Sequence, residues 1–130
     1  MSPGLALLFW SLVLLEVKHF ICDFVLQTRY QYANKGTYGH PGGYLHAGFH
    51  AVGSIPAILM VSDAAGLMAT IVVAEFLCHY HVDWLKEQIN KGRGLTHDAT
   101  LFWIVFGADQ LLHQMTYVVI LALLARMANL

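Results

Sequence analysis

This chain of 130 residues is 58% hydrophobic and only 12% charged. A typical soluble domain is about one-quarter charged, so the composition excludes an ordinary soluble domain and favours a membrane protein. The net charge of -1 lacks the basic excess of nucleic-acid-binding proteins, and we expect no nucleic-acid partner. The length favours a single integral membrane domain, residues 1–130, over two domains.

Four segments are long and apolar enough to cross a bilayer, which takes about 20 residues. In chain order they cover about residues 5–28, 43–61, 66–85 and 101–127. The first has no basic stretch before it and exceeds the usual hydrophobic part of a signal peptide, so we interpret it as a retained helix. A short connection around Ser62 and Asp63 predicts an antiparallel hairpin of the second and third segments. The predicted fold is an all-α integral membrane four-helix bundle of up-down topology, with both termini on one side.

Each predicted helix carries ionisable side chains in one of its halves. An ionisable group at membrane depth costs several kcal/mol, which makes it a functional candidate. Because the four helices alternate in direction, the polar halves all lie on the same side of the membrane. In chain order the groups are Glu16, Lys18, His19 and Asp23; His46 and His50; Glu75, His79, His81 and Asp83; and Asp109 with His113.

The distribution of basic residues predicts which side this is. Five of them flank the two longer loops, whereas Arg126 stands alone at the opposite side. The positive-inside rule therefore places loops 29–42 and 86–100 in the cytoplasm and both termini on the outer face of the inner (plasma) membrane. The five flanking residues are Arg29, Lys35, Lys86, Lys91 and Arg93.

The spacing of these groups predicts that they share helix faces. Glu16, His19, Asp23 and Gln27 form one helical stripe. The spacing of His46 and His50, repeated by other pairs on the third and fourth helices, lets two side chains on one helix bind one metal ion. Two explanations are open, since such groups also serve as hydrogen-bonding contacts between helices. Histidine with carboxylate is nevertheless the composition of metal and proton-transfer sites.

These residues define the candidate site. Five histidines are candidate ligands of a divalent ion, with zinc the first choice: His19, His46, His50, His79 and His113. Asp23, Asp83 and Asp109 are candidate catalytic carboxylates, each either a general base or the partner that orients a ligand imidazole. Lys86 is a fourth catalytic candidate, and with Gln27 and Gln110 it would bind a polar or phosphorylated head group. Lys18 either extends to the interface or pairs with an acid on a neighbouring helix.

Four stretches, HFICDFVLQTRYQYANK, HAGFH, HYHVDWLK and DQLLHQ, together resemble a family of small prokaryotic inner-membrane proteins that is a domain of unknown function. The resemblance covers nearly the whole chain and supports the fold and a set of residues rather than a reaction. More loosely, the chain is similar to small membrane proteins described as metal-dependent hydrolases. The motif positions are His19, Asp23, Gln27, Lys35, His46, His50, His79, Asp83, Lys86, Asp109, Gln110 and His113.

The favoured function is a metal-dependent membrane hydrolase or transferase acting on a lipid or lipid-linked substrate, although the sequence leaves open whether the protein is an enzyme. One alternative is a haem- or proton-carrying subunit, with His46 or His50 and His113 as haem ligands. The other is a small transporter or assembly component, which would need an oligomer, because the outer halves of the helices offer one chain no polar path. Membrane lipids are the expected partners.

Overall fold

A computed structural model describes all 130 residues, and its regular structure is entirely helical. This confirms the all-α class. Three stretches are long and apolar enough to cross a membrane: Pro3–Val25, Ala65–Gly92 and Thr100–Met127. The helices are α1 (Pro3–Phe20), α2 (Arg29–Asn34), α3 (Pro41–Gly53), α4 (Ile55–Leu59), α5 (Ala65–Gly92) and α6 (Thr100–Met127), with one π-helical turn, Ile21–Val25, directly after α1.

The second predicted span is not one continuous helix. Over residues 43–61, α3 ends at Gly53 and α4 begins at Ile55, with Ser54 between them. Pro56 lacks the N–H group that would bond to the carbonyl of Val52, so the α-helical ladder is interrupted here. The Ser54 hydroxyl donates to the His50 carbonyl at 3.2 Å. The expectation of an uninterrupted helix was therefore wrong at this point.

The ends of the first and third predicted spans, which correspond to α1 and α5, also differ from the prediction. The π-turn follows α1, and the Leu26 N–H donates to the Ile21 carbonyl at 2.8 Å. Thr28 and Gln31 then cap each other's backbone at the start of α2, so the chain leaves the first span before residue 28. In contrast, α5 continues to Gly92. Lys86, predicted to lie in a loop, is therefore on a helix.

The long helices α1 and α5 contact the same three helices. α1 contacts α3, α4 and α6, while α5 contacts α3, α4 and α6, and the short α2 lies against α3. One apolar cluster joins α1, α4, α5 and α6, and its members are Leu15, Ala57, Ile58, Ile71, Tyr117, Ile120 and Leu124. The up-down bundle and the outer position of both termini stay predictions.

The interior is unusually polar and the surface unusually apolar. Of the 28 buried residues, half are polar or charged, while large apolar side chains such as Phe24, Trp103 and Ile104 are mostly exposed. In a soluble protein charged groups are almost never fully buried unless they are paired. This distribution matches a protein whose outer surface faces lipid and whose interior carries a polar site.

Candidate metal centre

Four side chains converge from three elements. Asp23 comes from the π-turn, His46 and His50 from successive turns of α3, and His79 from α5. One potential ligand atom of each lies within 4.8 Å of those of the other three. Asp23 Oδ1 is 3.0 Å from His50 Nε2 and 3.2 Å from His46 Nε2. His46 Nε2 is in turn 3.3 Å from His79 Nε2.

These separations fit a tetrahedral metal ion. Zinc binds imidazole nitrogen and carboxylate oxygen at about 2.0–2.2 Å, which sets neighbouring ligand atoms about 3.3–3.6 Å apart around a tetrahedron. The three separations given above are 3.0, 3.2 and 3.3 Å, at or slightly inside the lower end of that range. The four residues can therefore hold a zinc-sized ion after small side-chain adjustments.

The contacts of His46 Nε2 also favour a bound cation. This nitrogen is also 3.1 Å from Asp83 Oδ2, so it faces two carboxylate oxygens and a second imidazole nitrogen. A neutral imidazole has one N–H group and can donate to only one of them. Asp83 Oδ2 itself is buried and has no hydrogen-bond partner. A cation among these atoms would satisfy more of them than one proton does.

A second group lies beside the first. His79, Asp83 and His113 also have ligand atoms within 4.8 Å of one another. His113 Nε2 is 3.3 Å from Asp109 Oδ1, one turn earlier on α6. The rings of His50, His79 and His113 form a stack, with centroid separations of 3.7 Å and 4.0 Å. The two groups are thus continuous rather than separate sites.

The lysines distinguish Asp23 from the other acids in the interior. Lys18 pairs with Glu75 at 2.6 Å, Lys35 with Asp83 at 3.2 Å, and Lys86 with Asp109 at 3.2 Å. Four carboxylates, counting Asp23, therefore face three ammonium groups. Asp23 is the carboxylate without a lysine, and its nearest partners are the imidazoles of His19, His46 and His50. A buried charge needs a partner, and a divalent cation at Asp23 would supply it.

His19 lies behind Asp23 and has both ring nitrogens engaged. Its Nδ1 is 2.8 Å from the Tyr117 hydroxyl, and its Nε2 is 3.0 Å from Gln110 Oε1 and 3.2 Å from Asp23 Oδ2. Lys18 Nζ, which can only donate, reaches the same hydroxyl at 2.9 Å. Tyr117 is therefore free to donate its proton to His19, whose Nε2–H then points to Gln110 and Asp23. This arrangement suits His19 to orienting Asp23.

Both glutamines contact Asp23, Gln27 at its backbone carbonyl and Gln110 at its carboxylate. Gln27 Nε2 donates to the Asp23 carbonyl at 2.7 Å, and Gln110 Nε2 lies 3.4 Å from Asp23 Oδ2 and 3.3 Å from Asp109 Oδ2. All the histidines, acids and glutamines selected from the sequence, together with Lys86, thus lie in one connected cluster. Their roles as ligands or catalytic groups stay predictions. Glu16, on the same predicted stripe, is half-buried and forms no ion pair or hydrogen bond in the cluster.

Sequence reasoning left some members of the cluster unassigned. Tyr117 has no predicted role, although it follows His113 by four positions and so continues the stripe of Asp109 and His113. Lys18 does pair with an acid on another helix, as one of its two expected alternatives stated. The sequence did not indicate that Glu75 is the acid that pairs with Lys18, or that Lys35 pairs with Asp83. The two residues of each pair lie far apart in sequence.

Residues 11–130 match the model of a family described as a protein of unknown function (DUF3307). The chain belongs to this family. The expected membership of a family of unknown function is thereby confirmed, whereas the likeness to metal-dependent hydrolases rests on the sequence pattern alone. Comparison with curated proteins and with solved structures finds no match.

Proposed function

We propose that this protein is a membrane-embedded, metal-dependent hydrolase or transferase that acts on a lipid or lipid-linked substrate from the cytoplasmic side of the inner membrane. One observation carries the proposal: Asp23, the partly buried site carboxylate without a lysine, lies 3.0–3.2 Å from the Nε2 atoms of His19, His46 and His50. In this proposal Asp23, His46, His50 and His79 hold the ion.

A zinc-like ion held there would supply a bound water with a pKa of about 7 and would polarise a carbonyl or phosphoryl oxygen. The remaining residues have roles that follow from their contacts. His113, 3.3 Å from Asp109, accepts a proton from the attacking group, and Asp109 holds its imidazole in place. His19, hydrogen-bonded at both ring nitrogens, fixes the direction of the Asp23 carboxylate.

The imidazole packing disfavours the haem alternative. The rings of His50 and His113, one of the proposed haem-binding pairs, are 6.5 Å apart. His79 occupies the space between them, stacked on both. A porphyrin between these two rings would have to displace that buried side chain.

Metal analysis of the purified protein tests the ion site. We expect about one zinc-like ion per chain after reconstitution and dialysis, and at least a tenfold lower affinity in Asp23→Asn, because the variant keeps the shape but loses the charge that binds the ion. The double variant His46→Ala, His50→Ala should lose the ion. Asp98→Asn and His97→Ala are matched controls, since both side chains are largely exposed, at 85% and 78%.

Absence of any stoichiometric metal in the folded wild-type protein would contradict the proposal. So would an Asp23→Asn variant that binds metal as tightly as the Asp98→Asn control. Circular dichroism on the same samples separates loss of the ion from loss of the helices. Catalysis is tested on vesicles that contain phospholipid or isoprenoid phosphate, by release of phosphate or head group with and without the metal. Wild-type turnover that Asp23→Asn lacks is the expected result.

A further inference from the structure

A large cavity lies beside the candidate metal centre. Its volume is about 630 Å³, and it is lined by the end of the first span, by the last turns of α5, by the connection to α6 and by the first turns of α6. Lys35 and Lys86 form part of its wall and pair with Asp83 and Asp109. The cavity thus reaches to within one side chain of the candidate site.

The wall of this cavity carries more lysines than acids. Lys35, Lys86 and Lys91 line it, and the one lining acid, Glu87, lies 3.7 Å from Lys86. Lys35 and Lys86 are engaged with buried carboxylates, whereas exposed Lys91 forms no ion pair. A side chain at Gly36 would meet Lys91 Nζ at 2.6 Å, so the glycine leaves room for the ammonium group at the edge of the cavity.

Polar atoms without partners also line the cavity. Gln27 Oε1 and Asn90 Oδ1 are both buried and make no hydrogen bond. The orientation of the Gln27 amide is set by the bond that its nitrogen donates to the Asp23 carbonyl. Its oxygen is therefore available to accept a hydrogen bond from a ligand hydroxyl. Buried polar atoms of this kind are costly unless something bonds to them.

The other part of the wall is apolar. Leu95, Phe102 and Phe106 line it, and Phe106 also lies under the Lys86 ammonium group, which is 5.9 Å from the ring centroid. α6, which carries both phenylalanines, is one of the helices apolar enough to span a membrane. A ligand that fills this cavity therefore needs an anionic, hydroxyl-bearing group beside an apolar part.

We propose that this cavity binds the phosphate-bearing head group of an anionic lipid, with Lys91 as the entry contact, Lys35 and Lys86 deeper in the wall, and Gln27 and Asn90 accepting hydrogen bonds from its hydroxyls. This inference rests on the proposed function, since it names the substrate class for that site. It places the head group one side chain away from Asp83 and Asp109, on the other side of Lys35 and Lys86. Lysine is a common phosphate-binding side chain, acting as a point charge.

Lipid binding in nanodiscs tests this assignment, with phosphatidylglycerol, an anionic lipid whose head group carries two hydroxyls, as the probe, phosphatidylcholine as the neutral comparison and inorganic phosphate as the soluble arm. We expect saturable binding of phosphatidylglycerol that is weakened about tenfold by Lys91→Glu, one charge contact at this site. Arg126→Glu, an equal charge change at the last turn of α6, should have no effect. Asn90→Leu should weaken binding by a smaller factor.

The outcomes separate the two proposals, because metal content is measured on the same samples. Wild-type protein that holds its ion but binds phosphatidylglycerol no better than phosphatidylcholine refutes the head-group site and leaves the metal site standing. Equal losses in Lys91→Glu and Arg126→Glu also refute it, as they indicate general surface charge. Wild-type protein that binds the lipid but holds no metal after reconstitution refutes the metal-dependent reaction instead and leaves the head-group site standing. Binding of inorganic phosphate as tight as that of the lipid makes the ligand soluble and overturns the lipid assignment.

Discussion

At the scale of single residues, the main feature is the pairing of buried lysines with buried acids inside an apolar molecule. Lys18 and Glu75 show it best, since they are 8% and 1% exposed and their charged atoms are 2.6 Å apart. Buried pairs contribute little net stability, yet removal of one partner is costly, because it leaves an uncompensated charge. Glu75 Oε2 already lacks a hydrogen-bond partner, so Lys18 is the main compensation for this carboxylate.

This pair gives a prediction for stability. Lys18→Met should lower the free energy of unfolding by about 3–5 kcal/mol, because Glu75 is left buried without its cation. The double variant Lys18→Met, Glu75→Leu should recover most of that loss, since neither charge is then buried. Unfolding in mixed micelles, followed by circular dichroism, measures both values. A double variant as unstable as the single one would show that the ion pair is not the cause.

At the scale of elements, the sequence predicted the type of structure well and its interruptions poorly. Residues 101–127 formed the expected helix within one residue, because nothing in that segment competes with the apolar helical pattern. The break at Ser54 had a signal in Pro56, but the hydropathy of the segment outweighed it. The π-turn that carries Asp23 had none, because an extra residue in a turn leaves the polar and apolar pattern intact.

The same limit applies to the site. The pairs within one helix, His46 with His50 and Asp109 with His113, follow from spacing, since residues four apart share a face. The assignment of each lysine to its acid does not, because Lys35 and Asp83 are 48 positions apart and Lys18 and Glu75 are 57 apart. That pairing depends on the packing of whole helices, and it is what distinguishes Asp23 from the other acids.

Two glycines of α3 allow a matched test of its packing. A Cβ at Gly42 would meet the Tyr30 carbonyl oxygen of α2 at 2.8 Å, whereas a Cβ at Gly48 would meet nothing within 4 Å. Gly42→Ala should destabilise the protein by about 1–3 kcal/mol, because a backbone atom cannot move aside easily. Gly48→Ala should stabilise it by about 0.5–1 kcal/mol, the usual gain in a helix interior. Thermal unfolding in detergent compares them, and equal effects would contradict the close approach of α2 and α3.

At the scale of the whole molecule, the polar and the apolar parts of the interior lie in opposite halves of the helices. The apolar cluster around Leu15, Ile58 and Leu124 lies in the halves of the helices that the sequence assigns to the outer side. The polar cluster lies toward the other ends, as does the cavity that Lys35, Lys86 and Lys91 help to line. A site of this form opens to one side only, so the direction of insertion decides which leaflet and which compartment it meets.

The basic residues predict that direction. Lys35 and Lys86 are buried in ion pairs, yet exposed Arg29, Lys91 and Arg93 still outnumber exposed Arg126 at the other side. The loops near residues 37 and 98 should therefore face the cytoplasm, and the connection at residue 63 should face outward. The prediction is checked with single cysteines at Asp98 and Asp63, both exposed, in a chain whose Cys22 and Cys78 are replaced by alanine.

A membrane-impermeant maleimide, applied to intact spheroplasts of a bacterial host, should label Asp63→Cys and spare Asp98→Cys, because only the former faces the outside. Permeabilisation should expose both, which controls for reactivity. Thr37→Cys, in the other loop of the polar side, should behave like Asp98→Cys. Labelling of Asp98→Cys and Thr37→Cys in intact cells, with Asp63→Cys spared, would reverse the orientation. The ion site would then remain possible, but its lipid would have to come from the outer leaflet.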